Sequence, residues 1–260
     1  MNLIGRSLSA GYNGKDIIKN INFSPKEGEF TAILGANGSG KSTLLLTLAR
    51  ILTASSGNVF LDDKPIQTIP SKLVAQRLSF LPQGLTDVDE ITVKGLVERG
   101  RYPHQTFLKS WREEDEAAVT RSLKMTETFD LSDVPIRKLS GGQRQRCWIA
   151  MLIAQESDIM LLDEPTTFLD LRYQIEIIAL LKKLSTQFNH TIVAVLHDLN
   201  MAAQYADNII FMRDGEIFKE GTVSTVFTAS NIQDVFGWPV NVSFDDTSKR
   251  PFFRPHYEYG

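Results

Sequence analysis

The sequence predicts an α/β protein built on a mainly parallel core sheet, and three observations carry that reading. Residues 159–162 and 191–196 are continuous apolar runs rich in branched side chains, the pattern of strands buried on both faces. Between them, Leu171, Ile175, Ile178, Leu181, Leu184 and Phe188 recur at helical spacing as one buried stripe, so strand, helix and strand form a parallel crossover unit. A third apolar run, residues 29–34, leads into a glycine-rich turn and a helix expected over residues 42–50.

The other elements follow in chain order. Residues 59–61, followed by Asp62-Asp63-Lys64, read as an edge strand and a turn, and residues 78–81 as another strand. From residue 92 to 140 the strand signal disappears. Residues 113–124 form a helix whose acidic start, Glu113-Glu114-Asp115-Glu116, suits the positive end of a helix dipole. A further helix spans about 143–154, and the whole stretch reads as a helical insert between two halves of the sheet. Residues 208–212, Asp214-Gly215 and residues 216–219 make a hairpin with a tight turn. The last segment carries Phe236, Trp238, Phe244, Phe252, Phe253, Tyr257 and Tyr259, read as aromatics that pack an extension onto the rest of the chain. No linker or repeat divides the sequence. Residues 1–260 therefore read as one domain, with a core at about 1–83 and 155–230, the helical insert at about 84–154 and an extension at about 231–260.

Composition narrows the function classes. The 260 residues hold 28 Lys+Arg against 31 Asp+Glu, a net charge of −3, which gives no electrostatic footprint for nucleic acid. With 42% hydrophobic and 23% charged residues the chain is neither disordered nor fibrous. Cys147 is the one cysteine, so no internal disulfide forms; beside Trp148 on a helix it reads as a packed thiol. His104, His190 and His256 show no metal-ligand spacing. Residues 1–6 lack the apolar core of a signal peptide, and no apolar run approaches the roughly 20 residues of a membrane span, so a cytoplasmic protein is expected.

Gly35-Ala36-Asn37-Gly38-Ser39-Gly40-Lys41-Ser42 fits G-x-x-x-x-G-K-[ST] directly after an expected strand and before an expected helix, with Thr43 next in that helix. Glycines let backbone N–H groups turn inward around phosphate oxygens, and the helix N-terminus adds positive potential. Lys41 would reach the β- and γ-phosphates of a nucleotide, and the Ser42 hydroxyl would ligate Mg²⁺. The run 159–162 ends in Asp163-Glu164, and a buried strand delivers such carboxylates to the ligand crevice of an open α/β sheet. Asp163 can then hold the Mg²⁺ shell while Glu164 acts as general base on the attacking water. Many strands end in acids, so this pair gains its meaning from the phosphate loop.

Leu139-Ser140-Gly141-Gly142-Gln143 places a serine hydroxyl and glycine N–H groups at a second helix start, a second anion site. The phosphate loop, this pentapeptide and Asp163-Glu164, in this order, resemble the ATPase subunit of an ABC transporter, over essentially the whole chain. The resemblance implies a P-loop NTPase fold with an antiparallel β subdomain and a helical insert. It also implies two copies paired head to tail, each ATP lying between the phosphate loop of one and Ser140, Gly141, Gly142 and Gln143 of the other. Tyr12, ahead of the first strands, matches the aromatic that stacks on adenine. Gln83 matches the glutamine that contacts Mg²⁺ and the attacking water, and His197 the histidine that contacts the γ-phosphate. Thr167-Phe168-Leu169-Asp170 matches the loop that crosses the dimer interface, usually Ser-Ala-Leu-Asp, with Asp170 kept and Thr167 and Phe168 bulkier. Taken alone, a Tyr, a Gln or a strand-end His is more often an ordinary surface, core or hydrogen-bonded residue.

Gly100-Arg101-Tyr102-Pro103-His104, Gly141-Gly142-Gln143-Arg144-Gln145-Arg146 with Trp148-Ile149-Ala150-Met151, Asp163-Glu164-Pro165-Thr166-Thr167 and Val195-Leu196-His197-Asp198-Leu199-Asn200 are similar to the ATPases of iron-siderophore importers, a group that includes haem and vitamin B12 systems. This implies a bacterial subunit lying peripherally on the cytoplasmic face of the cell membrane, with separate permease subunits and, indirectly, a substrate-binding protein. Importers of haem, vitamin B12 or a metal oxyanion, and non-transport ABC ATPases, remain open alternatives. A kinase or GTPase would have no use for residues 139–143. The segment from Gln83 to His104, with Leu85, Val88, Ile91, Val93, Leu96, Val97 and Tyr102, is expected to supply a groove for a short helix of the permease, with Leu96 and Tyr102 as exposed positions.

Overall fold

The structure, a computed structural model, describes residues 2–84, 90–105 and 111–256. Two sheets dominate it. The chain begins with β1 (Leu3–Tyr12) and β2 (Lys15–Phe23), continues through β3 (Phe30–Gly35) and α1 (Lys41–Leu48), then β4 (Ser56–Leu61), β5 (Lys64–Pro65), α2 (Ser71–Ala75) and β6 (Leu78–Leu81). The helical stretch holds α3 (Val93–Glu98), α4 (Glu113–Met125) and α5 (Gly141–Ala154). The crossover follows as β7 (Ile159–Asp163), α6 (Leu171–Phe188) and β8 (Thr191–Val195), then α7 (Leu199–Tyr205), β9 (Asn208–Arg213) and β10 (Glu216–Thr222). The chain closes with α8 (Val223–Val226), α9 (Ala229–Phe236), β11 (Val240–Phe244) and β12 (Pro251–Pro255).

The six-stranded sheet runs β10-β9-β3-β8-β7-β6 and is parallel except for the β9–β10 hairpin. Its central strands alternate between two cores. Met160 and Leu162 of β7 and Ile192 and Ala194 of β8 enter one apolar cluster with α5, α6 and α7, while Ile159, Leu161, Val193 and Val195 enter the other with α1 and the antiparallel sheet. Burial on both faces is why these strands read as unbroken apolar runs. The second sheet, β2-β1-β4-β5, is antiparallel.

Several expectations need correction. The strand at residues 59–61 is not an edge: β4 lies between β1 and the two-residue β5. Tyr12 is not ahead of the first strands but ends β1, opposite Lys15 across an Asn13-Gly14 turn whose φ values of 52° and 76° are both left-handed. The stripe of α6 is shorter than the one expected. Ile177, Ile178, Leu181 and Leu184 are buried, whereas Leu171, Ile175 and Phe188 are exposed, because α6 packs its middle on the sheet and its ends run past it. Leu96 is fully buried with Val93 and Val97 in a third cluster that binds α3, α4 and α5 together, so it offers nothing to a partner. Leu85, Val88, Tyr257 and Tyr259 lie outside the described residues.

The Gly100–His104 block is a joint. Arg101 is buried; its Nε donates to Asp115 Oδ1 at 2.9 Å, and its Nη1 to Ala154 O at 2.7 Å and Glu156 Oε2 at 2.6 Å. A Cβ on Gly100 would stand 2.2 Å from Met151 O, so only glycine permits this approach to α5. Tyr102, in contrast, is 63% exposed. Cys147 is buried in the same third cluster, and burial pushes its thiol up to about 12, which makes it the inert packed thiol expected. Among the described residues no helix is long and apolar enough to cross a membrane.

Candidate functional site

A cavity of about 390 Å³ opens where β3, β6, β7 and β8 end, lined by Ile17, Asn37, Gly38, Gly40, Lys41, Ser42, Thr43, Gln83, Glu164 and His197. Parallel strands bring their C-terminal ends to one edge, so a loop after each can contribute a group to one crevice. The turn from β3 into α1 needs glycine where it is most sharply bent: Gly38 and Gly40 have φ of 80° and 98°, and a Cβ on Gly40 would lie 2.8 Å from Ile18 Cγ2.

The loop suits a phosphate chain. The Ser39 hydroxyl is buried and has no hydrogen-bond partner among the described residues, so it has a donor to give. Lys41 Nζ donates to Gly35 O at 2.8 Å and Ala36 O at 3.0 Å, which holds the ammonium under the loop. Burial pushes the Lys41 ammonium below the usual lysine range, and the nearby Glu164 and Asp163 carboxylates oppose that shift. Ser42 Oγ donates to Asp163 Oδ1 at 3.0 Å, so two of the three expected metal ligands are already together. Burial raises the Asp163 carboxyl above its ordinary range; the Ser42 hydrogen bond pulls it down and the neighbouring Glu164 charge adds to the rise. A hydroxyl and a carboxylate beside a phosphate site form the oxygen-donor set that Mg²⁺ takes when phosphates complete its shell. Among the described residues no group of three or more His, Cys, Asp or Glu side chains could hold a metal unaided.

Glu164 stands one residue past β7 with φ of 52°, a left-handed conformation that costs a non-glycine residue about 1–3 kcal/mol. Three side chains hold it there. Gln83 Nε2 donates to its Oε2 at 2.7 Å, the Thr167 hydroxyl donates to Oε2 at 3.0 Å, and His197 Nε2 lies 2.7 Å from Oε1. A carboxylate has about four acceptor positions, so this arrangement leaves about one for a water molecule. The sequence marks Thr167 only as a bulkier residue of its loop, not as a partner of Glu164; the i, i+3 spacing across a turn was the available signal.

Other candidates stay outside the cavity. Tyr12 is 49% exposed at the end of β1 and does not line it. Ser140 caps α5: its Oγ accepts from Gln143 N at 3.3 Å while Gln143 Oε1 accepts from Ser140 N at 3.1 Å, so the helix begins at Gly141 rather than Gln143. Gly142 has a packing reason as well, since a Cβ there would fall 2.4 Å from the Tyr173 ring. Asp170 caps α6 through Oδ1, which accepts from Tyr173 N at 3.1 Å, and Phe168 before it is 97% exposed with φ of 64°. One chain thus gathers the phosphate loop, Gln83, Asp163, Glu164 and His197, and leaves Tyr12, Ser140–Gln143 and Asp170 on its surface or at helix starts.

Comparison with known proteins agrees with this geometry. The family model described as ABC transporter matches residues 18–167. The chain is 47% identical to the "Probable siderophore transport system ATP-binding protein YusV" of Bacillus subtilis (strain 168), over 96% of this chain and 91% of that one. It is 46% identical to the "Ferric enterobactin transport ATP-binding protein FepC" of Escherichia coli (strain K12), over 97% and 93% of the two chains. A structure reported as an inward-facing metal-chelate type ABC transporter superposes with a TM-score of 0.85 at 28% identity, covering 99% of this chain and 98% of that one.

Proposed function

The chain belongs to the ABC transporter family as an ATP-hydrolysing subunit, and from that premise we propose that it powers import of an iron-siderophore complex through a separate membrane permease. The observation that carries the cargo is the near-full-length identity to two relatives whose names specify a siderophore and ferric enterobactin. Subunits of this family work in dimers with transmembrane partners. The proposed assembly has two copies sandwiching two ATP molecules at the cytoplasmic face of a bacterial cell membrane, with a substrate-binding protein delivering the chelate outside.

In this reading the loop N–H groups from Gly35 to Thr43 bind the phosphates of ATP, and Lys41 neutralises the β- and γ-oxygens. Ser42, Asp163 and Gln83 would hold Mg²⁺, which would supply charge neutralisation on the phosphates. Glu164 orients a water molecule through its remaining acceptor position and takes a proton from it as the oxygen attacks the γ-phosphorus, while the bond from that phosphorus to the β,γ-bridging oxygen breaks and ADP leaves. His197 and Gln83 keep that carboxylate in place and face the γ-phosphate end of the cavity. Tyr12 stacks on the adenine ring. Ser140, Gly141, Gly142 and Gln143 of a second copy close over the γ-phosphate, and Asp170 lies at the crossing between copies.

The test is uptake by a strain deleted for this gene and complemented with the wild-type or Glu164→Gln chain. Wild type restores uptake of a ferric siderophore and the variant does not. Restoration of haem or vitamin B12 uptake, with none for any ferric siderophore, would assign a different cargo.

A further inference from the structure

The C-terminal extension has a mechanical connection to the hydrolytic site. The β11–β12 hairpin lies along α7, the helix that begins directly after His197 and Asp198. Asn200 in the first turn of α7 pairs with a single residue of β12: its Oδ1 accepts from Phe253 N at 2.8 Å and its Nδ2 donates to Phe253 O at 3.3 Å. One amide side chain thereby satisfies both backbone groups of a strand edge, as a neighbouring strand would. At the other end of α7, Arg250 Nη1 donates to Ala206 O at 2.7 Å and Ala203 O at 3.4 Å, placing a cation on the helix's last carbonyls.

These contacts matter because of how His197 is suspended. On its upstream side β8 is fixed in the sheet, and Leu196 N donates to Ile33 O at 3.1 Å. On its downstream side Asp198 Oδ1 accepts from Met201 N at 2.8 Å and caps α7. The backbone angles of His197 are therefore set by where β8 ends and where α7 starts. A seven-residue helix is too short to hold itself, so its placement is decided by what packs on it. Met201, Ala202 and Ala203 seat its inner face on the core, and the hairpin holds its outer face and its far end.

We propose that the C-terminal hairpin positions His197 against Glu164, acting through Asn200 and α7. This rests on the proposed role of His197 in hydrolysis. Asn200 touches neither nucleotide nor water in this scheme; it is a positioning residue.

The experiment is steady-state ATP hydrolysis by the full chain carrying Asn200→Leu, which keeps size and loses both bonds, and Asn200→Asp, which keeps the acceptor for Phe253 N–H. Misplacing a catalytic group by a fraction of an ångström costs roughly tenfold or more, so Asn200→Leu should lower kcat roughly tenfold with KM for ATP unchanged, and Asn200→Asp should fall between it and wild type. The same pair of substitutions is then made in a His197→Ala background, where Asn200→Leu should remove little further rate. A wild-type kcat in Asn200→Leu overturns the proposal, as does an equal fold-loss with and without His197, which would mean that the hairpin only stabilises the fold. Full activity of His197→Ala by itself overturns the role of His197 and this inference with it. If Asn200→Leu does not fold, Asn200→Asp carries the same comparison.

Discussion

Nε2 of His197 and Oε1 of Glu164 lie 2.7 Å apart, which joins the loop after β8 to the loop after β7 at one carboxylate. Gln83 and Thr167 take the other oxygen. Glu164 is thus fixed from three sides in a left-handed conformation, and the strain is placed where the proposed function needs a water molecule aimed.

Replacing that carboxylate with an amide keeps its size and removes its basicity. Glu164→Gln should bind ATP with wild-type affinity, lose about 10²–10⁴ in turnover and accumulate a nucleotide-bound dimer. Hydrolysis by the purified transporter complex, measured beside ATP binding by calorimetry, decides it. A wild-type rate would remove Glu164 from the role of general base.

The phosphate loop and the acidic pair were legible because each is local: one turn between β3 and α1, and one strand end. The parallel core was legible for the same reason, since burial on both faces leaves an unbroken apolar run. What the sequence hid was relational. The β1–β2 hairpin carried a direct signal in Asn13-Gly14, whose side-chain types suit two successive left-handed residues, but flanking strands with mixed polarity masked it. The C-terminal hairpin showed only as a set of aromatics, because its meaning lies in the contact between Phe253 and Asn200, far apart in sequence. The burial of Leu96 could not be separated from exposure by periodicity, since α3 spans only Val93–Glu98.

Lys41 is held by two loop carbonyls and partly stripped of water. Lys41→Ala should weaken ATP binding as well as abolish turnover, because the ammonium neutralises phosphate oxygens in the bound ground state and not only during transfer. Calorimetric affinity equal to wild type would contradict that placement.

Tyr12 ends β1 outside the cavity, with half its surface exposed. In the proposed role its ring would stack on the base and not read its edge. Tyr12→Ala should therefore weaken ATP and GTP binding to a similar degree, within the roughly 1–3 kcal/mol that a base–aromatic stack contributes. A loss confined to one nucleotide would assign Tyr12 another task.

The last prediction concerns the surface that meets the permease. Leu96 lies within the helical cluster, so Leu96→Asp strands a charge among Val93, Val119 and Leu123 and should cost about 4 kcal/mol or more, seen as a collapse of the melting temperature. Tyr102 is different. It stands 63% exposed on the stretch Arg99–His104, which packs against α2, where Leu73 is 50% exposed, and Gln76 Nε2 ties the two elements together by donating to Pro103 O at 2.7 Å. Beneath them Arg101 ties the same stretch to α4 and to the end of α5, the helix that Ser140 caps. Tyr102→Asp and Leu73→Asp should leave melting temperature and ATP binding unchanged and prevent co-purification with the membrane subunits. If both variants assemble and support uptake as wild type does, the permease docks on another face.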